Sequence, residues 1–246
     1  MRVCVILPTY NEAENIETVI RRVRAALPDA EILLIDDSSP DGTAEIAEGI
    51  GAQIGGVEVL RRAGKQGLGS AYLAGFAHAL QSGADILVEM DADLSHDPDA
   101  LPALIALIPM AADLVIGSRY VPGGTIPQWS KQRAWLSRWG NRYAAAVLGL
   151  AINDSTSGFR AYAADALKRI DLGAIRADGY AFQVEMTYRI IRSGGRVVEA
   201  PIRFGHRAAG TSKMSGKIVI EAMVLVTLWG VRDRLFRRNS RPSGPG

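Results

Sequence analysis

Short apolar runs alternate with longer amphipathic segments along the first half of the chain. Five such runs, each followed by a turn or by polar residues, predict buried β-strands at residues 3–7, 32–35, 57–60, 86–90 and 114–116. Between them, apolar residues at helical spacing predict helices, including 68–80 and 98–108, and Asn11 and Glu14 predict a capping box before the first helix. Strands and helices that alternate at such short intervals favour an α/β fold with a mostly parallel sheet.

The second half of the chain is less regular. Its pattern predicts helices at 132–150, 179–193 and 218–231, a strand at 197–200 and a polar loop at 206–216. We expect one domain over residues 1–215 and an apolar C-terminal helix over 216–238. The segment 239–246 is rich in proline, glycine and serine, and we expect it to be disordered.

Composition and charge exclude several classes of protein. The 246 residues include 28 basic and 26 acidic side chains, and a net charge of +2 gives no reason to expect a nucleic-acid partner. The single cysteine, Cys4, excludes a disulfide within the chain and a cysteine metal cluster. No signal peptide is evident and no apolar segment is long enough to cross a bilayer, so we expect a soluble or peripheral protein.

Asp91 and Asp93 follow the fourth predicted strand. Ligands of parallel α/β sheets bind beyond the carboxyl ends of the strands, so side chains at such positions are candidates for a site. Residues two apart in an extended segment point the same way, and two carboxylates suit Mg²⁺ or Mn²⁺ shared with a diphosphate. Two solvated loop aspartates are the alternative.

Two other segments allow a nucleotide-site interpretation. Asp36 and Asp37 end the second strand, where one carboxylate could accept hydrogen bonds from a base or a ribose, or could simply lie at a helix start. The glycine-rich segment 64–70 matches neither a P-loop nor a dinucleotide fingerprint, because Tyr72 stands where the third glycine would be. A bend at a helix start explains this segment better.

Basic and aromatic residues suggest an anionic ligand and a membrane surface. Arginine suits phosphate groups, and Arg133 and Ser137 lie four residues apart on one helical face. Trp129, Trp135 and Trp139 are close together beside several basic residues, a composition typical of membrane interfaces. Solvated charges and core tryptophans remain the alternatives.

Taken together, seven segments resemble the family 2 glycosyltransferases of the GT-A fold, and among them the polyprenol (dolichol) phosphate mannose synthases of the peripheral kind. The matching segments are LPTYNE at 7–12, DDSSPDGT at 36–43, GLG at 67–69, MDADLSH at 90–96, GSRY at 117–120, SGFR at 157–160 and GTSK at 210–213. They occur in the expected order and span about residues 1–215. The resemblance implies a single GT-A domain with a Rossmann-like sheet.

The resemblance also implies roles for individual residues. Those implied to hold the donor, GDP-mannose, are Pro8, Tyr10, Glu12, Ile35, Asp37, Asp91, Ala92, Asp93, Arg119, Arg207 and Lys213. Those implied to bind a divalent cation, Mg²⁺ or Mn²⁺, are Asp91, Asp93 and Ser95, the last standing where some relatives have a glutamine. Those implied to bind the phosphate of the acceptor, a polyprenyl or dolichyl phosphate, are Arg119, Arg133 and Ser137. Those implied to act in catalysis are Asp93, Arg119 and Arg133.

The implied activity is an inverting, metal-dependent transfer of mannose. It would take place at the cytoplasmic face of the cell membrane, on a protein bound peripherally to the membrane surface, alone or with a membrane-protein partner. Three alternatives remain open: a glucosyltransferase that uses UDP-glucose, a sugar-phosphate nucleotidyltransferase, and a non-enzymatic nucleotide-binding protein at a membrane surface. The nucleotidyltransferase is disfavoured because the glycine- and arginine-rich segment usual after its first strand is missing here.

Overall fold

A seven-stranded sheet forms the centre of the protein. The computed structural model describes residues 1–205 and 216–239, with side chains for 1–205 and 222–235. The strands are β1 (Val3–Thr9), β2 (Glu31–Asp36), β3 (Val57–Arg61), β4 (Ile86–Glu89), β5 (Leu114–Ser118), β6 (Arg160–Ala163) and β7 (Val197–Pro201). Their order across the sheet is β3-β2-β1-β4-β6-β5-β7.

The sheet is parallel except for β6. This strand lies between β4 and β5 and is antiparallel to both, with Glu89 of β4 opposite Arg160 of β6. The sequence analysis missed β6 because it has four residues and begins with a charged one, so it shows no apolar run. The mostly parallel α/β fold is confirmed, and the carboxyl ends of β1, β2, β4 and β5 meet at one edge of the sheet.

Eight helices cover the two faces of the sheet in the described part of the chain. They are α1 (Ile16–Ala26), α2 (Thr43–Ile54), α3 (Leu68–Gln81), α4 (Leu101–Ala111), α5 (Lys131–Leu148), α6 (Ala164–Lys168), α7 (Gly179–Arg192) and α8 (Gly216–Asn239). Alternate residues of each central strand point to opposite faces. Val5 therefore packs with α1, α2 and α4, and Ile6 packs with α3 and α7.

One local prediction about the helices was wrong and another was confirmed. The capping box at Asn11 and Glu14 does not form, because Asn11 has a φ of 60° and α1 begins only at Ile16, whose N–H donates to the Glu12 carbonyl. The helix predicted over 98–108 is confirmed, with a short 3-10 helix at Pro98–Ala100 that leads directly into α4 at Leu101.

The C-terminal helix α8 is longer than the predicted 218–231 and packs on α5 and α7. Val226 is buried, Trp229 stacks on Tyr188 at 6.2 Å, and a Cβ atom on Gly230 would lie 2.5 Å from a methyl group of Val147. Glycine at 230 therefore permits the close approach of α8 to α5. None of the described helices combines the length and the apolar character that a membrane crossing needs.

Candidate active site

A cleft of about 690 Å³ opens at the carboxyl edge of the sheet. It lies beyond the ends of β1, β2, β4 and β5, where the sequence pattern places a site. Most of the predicted site residues that the structure describes line it, namely Pro8, Tyr10, Glu12, Asp37, Asp91, Ala92, Asp93, Ser95, Arg119 and Arg133. The topology thus brings together residues that are up to 125 positions apart, from position 8 to position 133.

Asp36 and Asp37 have different environments. Asp36 turns inward, where it accepts hydrogen bonds from the Thr9 hydroxyl at 2.9 Å and from the backbone N–H of Ser39 at 2.9 Å. Asp37 lines the cleft and lies 3.0 Å from Nε of Arg62. Burial raises the pKa of the Asp37 carboxyl above its usual value, against the opposing charge of Arg62. Of the two acids, Asp37 lines the cleft and Asp36 does not, and the contact of Asp37 with a ligand stays a prediction.

Tyr10 and Lys65 form the outer part of the same wall. The Lys65 ammonium lies 4.8 Å from the centre of the Tyr10 ring, and both side chains line the cleft. A cation over an aromatic face is held in place by electrostatic attraction. This arrangement supplies a flat aromatic surface and a positive charge next to Asp37.

Asp91, Asp93 and Ser95 lie close together on the loop after β4. The backbone N–H of Ser95 donates to Oδ1 of Asp93 at 2.9 Å, and the Asp91 N–H donates to Nδ1 of His96 at 3.2 Å. His96 is buried and stacks on Phe159 with ring centres 5.0 Å apart, so it holds the loop against the core. The Ser95 hydroxyl is buried and has no hydrogen-bond partner among the described residues.

A buried polar network supports the floor of the cleft. Glu89 accepts hydrogen bonds from the Tyr162 hydroxyl at 3.0 Å and from Nε2 of Gln183 at 2.7 Å. Arg160 is fully buried and donates to the carbonyl of Gln183 at 2.9 Å and to the Thr187 hydroxyl at 3.0 Å. Burial raises the pKa of the Glu89 carboxyl to about 7, although the Arg160 guanidinium lowers it.

The glycine-rich segment 64–70 ends where α3 meets the start of α7. Gly67 has a φ of 97°, and a Cβ atom there would lie 2.3 Å from a carboxylate oxygen of Asp178. The same carboxylate accepts a hydrogen bond from the Gly69 N–H at 2.7 Å, which neutralises part of the positive N-terminal end of α3. The bend at a helix start is confirmed, and its glycines permit close packing.

Arg119 is held by a buried ion pair. Its Nε and Nη2 atoms donate to the two oxygens of Asp154 at 2.7 and 2.6 Å, and Nη2 also donates to Thr156 at 2.9 Å. Burial lowers the pKa of the Arg119 guanidinium, but the Asp154 carboxylate more than offsets this and keeps it above the usual value. Arg119 therefore stays charged, and Asp154 balances that charge.

Arg133 presents a second guanidinium to the cleft from α5. It lies 4.0 Å from the centre of the Trp129 ring, and both residues line the cleft. Ser137, one turn further along α5, accepts a hydrogen bond from the Tyr120 hydroxyl at 2.7 Å. The part of the cleft formed by Trp129 and α5 is thus basic and aromatic.

Comparison with known proteins decides the family. The family described as glycosyl transferase family 2 matches residues 4–171. The chain belongs to glycosyl transferase family 2.

Curated relatives of this family 2 glycosyltransferase extend over almost all of its length. The undecaprenyl-phosphate mannosyltransferase of Micrococcus luteus is 51% identical over 95% of this chain and 96% of its own. The polyprenol monophosphomannose synthase of Mycolicibacterium smegmatis is 49% identical over 96% of this chain and 89% of its own. The dolichol-phosphate mannosyltransferase of Pyrococcus furiosus is 39% identical over 90% of this chain and 61% of its own.

Solved structures of low sequence identity share the fold. The glucosyl-3-phosphoglycerate synthase of Mycobacterium tuberculosis, determined with Mn²⁺, UDP-glucose and phosphoglyceric acid, matches with a TM-score of 0.66 at 19% identity, over 93% of this chain and 79% of that one. A second structure of that enzyme, with UDP, gives a TM-score of 0.64 at 20% identity, over 92% of this chain and 80% of that one. The glycosyltransferase fold predicted from the sequence is confirmed.

Two predicted site residues lie outside the cleft, and two others fall outside the described part of the chain. Ile35 is fully buried in the core beneath Gly75, and Ser137 is bonded to Tyr120, so within the described part of the chain neither lines the cleft. Arg207 and Lys213 lie outside the described residues. Their predicted roles stay predictions.

The structure adds cleft residues that the sequence analysis did not identify as part of a site. They include Lys65, His96, Gln128, Thr156, Gly158, Asp178, Tyr180 and Gln183. Thr156, Asp178, Tyr180 and Gln183 carry no local signal, because they come from α7 and from the segments before β6 and α7, whose position depends on the tertiary fold. Lys65 lies in the glycine-rich segment 64–70 and His96 in the quoted MDADLSH segment, but neither was given a role in a site. Gly158 likewise belongs to a quoted segment, SGFR, but was given no role in a site.

Proposed function

We propose that this family 2 glycosyltransferase transfers mannose from GDP-mannose to a polyprenyl phosphate, with the help of a divalent cation, at a membrane surface. The observation that carries the proposal is the pairing of two unlike walls in one cleft. Asp91 and Asp93 line one part of this cleft, and Arg133 on Trp129 lines another. The relatives that are about half identical to this chain are named for mannose transfer to such lipids.

The acidic loop fits a divalent cation bound together with a diphosphate. The described residues contain no group of three or more His, Cys, Asp and Glu side chains placed to hold a metal ion alone. Asp91 and Asp93 supply two carboxylates, and the buried hydroxyl of Ser95 is an oxygen without a partner. Oxygen ligands of this kind suit Mg²⁺ and Mn²⁺, which when bound would neutralise the charge that develops on a leaving diphosphate.

The donor nucleotide lies against the ends of β1 and β2 in this proposal. Tyr10 offers an aromatic face, Asp37 offers a hydrogen-bond acceptor for base or ribose, and Lys65 offers a charge. Arg207 and Lys213 are proposed to contact the diphosphate.

The acceptor phosphate lies on the opposite wall. Arg133 supplies the charge there, since the charge of Arg119 is already balanced by Asp154. The second pKa of a phosphate monoester is near ~6, so the acceptor is largely dianionic at neutral pH. It therefore needs positioning and charge balance more than a general base. Attack on the anomeric carbon of an α-linked donor from the side opposite the diphosphate gives a β-linked product.

The exposed surfaces of α5 and α8 are proposed to contact the membrane. Trp135 is 66% exposed and Trp139 39% exposed, with Arg138 and Arg142 beside them around a second cavity. The outward face of α8 exposes four more apolar side chains, Val224, Leu228, Val231 and Leu235. Tryptophan and arginine together are typical of the headgroup region of a bilayer.

The function is tested by transfer of labelled sugar to undecaprenyl phosphate in detergent, with and without chelator. We expect mannose transfer from GDP-mannose that stops when EDTA is added and returns when Mg²⁺ or Mn²⁺ is restored. Transfer of glucose from UDP-glucose, without transfer of mannose from GDP-mannose, would show that UDP-glucose is the donor. Tight nucleotide binding without any transfer would instead identify a nucleotide-binding protein.

Membrane binding is tested separately by sedimentation with vesicles of anionic phospholipid. Removing α8 would uncover Tyr188 and Val147, on which Trp229 and Gly230 of α8 pack, so a surface variant is preferable to a deletion. Leu228→Ser combined with Leu235→Ser should lower vesicle binding and leave detergent activity unchanged. The matched control is Met110→Ser, an exposed apolar residue at the end of α4. Equal sedimentation of all three proteins would contradict membrane contact through α8.

A further inference from the structure

Gly158 leaves an open space in the wall of the cleft next to Asp91. Its φ is outside the left-handed region, so the backbone does not require glycine there. A Cβ atom at this position would meet Nε2 of Gln183 at 3.7 Å, Oδ1 of Asp91 at 3.8 Å and Cε1 of His96 at 3.9 Å. These are ordinary van der Waals distances. The protein itself could therefore accommodate an alanine, and the space is available to a ligand.

Other glycines of the protein differ from Gly158 in this respect. A Cβ atom on Gly75 would lie 2.5 Å from a methyl group of Ile6, and one on Gly69 would lie 2.9 Å from the carbonyl of Ala177. At those positions the fold itself excludes a side chain. At Gly158 the space that a side chain would fill borders three polar side chains and the cleft.

Gln183 borders this space with a fixed amide. The side chain is 2% exposed, lines the cleft, and donates from Nε2 to the Glu89 carboxylate at 2.7 Å. Its Oε1 atom is buried and has no hydrogen-bond partner in the described part of the chain. A buried acceptor without a partner is unfavourable, so a hydroxyl group donated by a ligand would complement it.

The buried network determines which end of the amide stays free. Glu89 also accepts a hydrogen bond from Tyr162, and Arg160 donates to the main-chain carbonyl of Gln183. In its charged form the Glu89 carboxylate can only accept hydrogen bonds, so it then holds the NH₂ group of Gln183 and leaves the oxygen. Glu89 is thus a positioning residue, because it orients Oε1 of Gln183 as a hydrogen-bond acceptor.

We propose that Gly158 and Gln183 form the subsite for the transferred sugar. This inference rests on the proposed function, in which Asp91 and Asp93 hold the cation on the donor diphosphate. The sugar is bonded directly to that diphosphate, so it must lie next to these carboxylates. The open position at Gly158 is 3.8 Å from Asp91, so the sugar ring lies over Gly158 and one of its hydroxyl groups donates to Oε1 of Gln183.

The test compares binding of the nucleotide with and without its sugar. By calorimetry in the presence of Mn²⁺ and without acceptor, Gly158→Ala should weaken binding of GDP-mannose about tenfold while GDP binding and the Tm stay unchanged. The control is Gly49→Ala on α2, where a Cβ atom meets nothing within 4 Å and the cleft is remote. This control should change neither affinity.

A second variant tests the hydrogen bond to Gln183 independently of the open space at Gly158. Gln183→Met keeps the length of the side chain and removes the amide, so it should lower kcat/KM for GDP-mannose about tenfold without changing GDP affinity. Thr187→Val removes a hydroxyl group that accepts a hydrogen bond from Arg160 in the same buried network. Thr187 lies outside the cleft. It should lower the Tm without changing the ratio of the two affinities.

The outcomes separate this subsite from the proposed function. If wild-type protein transfers mannose but Gly158→Ala and Gln183→Met change the affinities for GDP and GDP-mannose by the same factor, the subsite is overturned and the function stands. If wild-type protein uses UDP-glucose instead, the proposed donor is overturned. The same variants, tested with UDP and UDP-glucose, then decide on the subsite by the same criterion.

Discussion

The two walls of the cleft, the proposed donor wall and the proposed acceptor wall, are built in different ways. The donor wall takes its side chains from the ends of neighbouring parallel strands, with Asp37 after β2 and Asp91 after β4. The acceptor wall takes Arg119 from the end of β5 and Arg133 from α5, and the Arg119–Asp154 ion pair ties β5 to the segment before β6. Backbone hydrogen bonds of the sheet fix the first wall. A small number of buried side-chain contacts fix the second, so the two walls should respond differently to mutation.

The largest effect is expected on the donor wall. Asp93→Asn should lower kcat/KM for mannose transfer by about 10³-fold, because a neutral amide no longer balances the cation and the diphosphate charge. The fold should be unchanged, since Asp93 lies on a loop beyond the strand. The control is Asp165→Asn, an exposed carboxylate that pairs with Lys168. A variant of Asp93 that kept a tenth of wild-type activity would contradict the role of the acidic loop.

Mutations in the acceptor wall should lower the stability of the protein, whereas mutations in the donor wall should lower its activity. Asp154→Ala leaves the guanidinium of Arg119 buried without its partner, which should lower the free energy of unfolding by about 4 kcal/mol in urea denaturation. Combining Arg119→Met with Asp154→Leu removes both charges and should recover much of this stability without restoring activity. A loss below about 1 kcal/mol for Asp154→Ala would show that the pair does not hold this wall.

A pH effect is expected from Glu89, beneath the donor wall. Its pKa is raised to about 7 in the folded protein from 4.5, so between these values the folded protein keeps a proton that the unfolded chain has released. The free energy of unfolding of the metal-free protein should therefore fall as pH rises through this range, by about 3 kcal/mol relative to Glu89→Gln. Urea denaturation of both proteins in EDTA measures the difference. Parallel pH profiles would contradict the raised pKa.

The smallest effect is expected at Arg133. Arg133→Ala should raise the KM for undecaprenyl phosphate about thirtyfold, the value of one charge-assisted phosphate contact, and leave GDP binding unchanged. Arg21→Ala, an exposed arginine on α1 that pairs with Glu17 and lies outside the cleft, is the control. Equal weakening of GDP and lipid binding would place Arg133 on the donor instead of the acceptor.

The fold and the donor wall could largely be predicted from the sequence. Their signals are local, because an apolar run that ends in Asp91 or Asp37 specifies both a strand and the position of the carboxylate beyond it. The same reasoning missed β6, since its four residues have no apolar pattern and Arg160 becomes buried only through contacts with α7 and the segment before β6.

The acceptor wall and the floor of the cleft were decided by the tertiary structure. In the sequence, Arg119 carries no sign that Asp154 balances its charge, and Gln183 carries no sign that Glu89 fixes its amide. These pairs are 35 and 94 residues apart, and a hydrogen bond in the protein interior depends on distances of a few tenths of an ångström. The sequence alone determined the sheet and the carboxylates at its edge, because strand patterns repeat over neighbouring residues. Only packing of the helices on that sheet decided which buried charges are balanced and which polar atoms remain for a ligand.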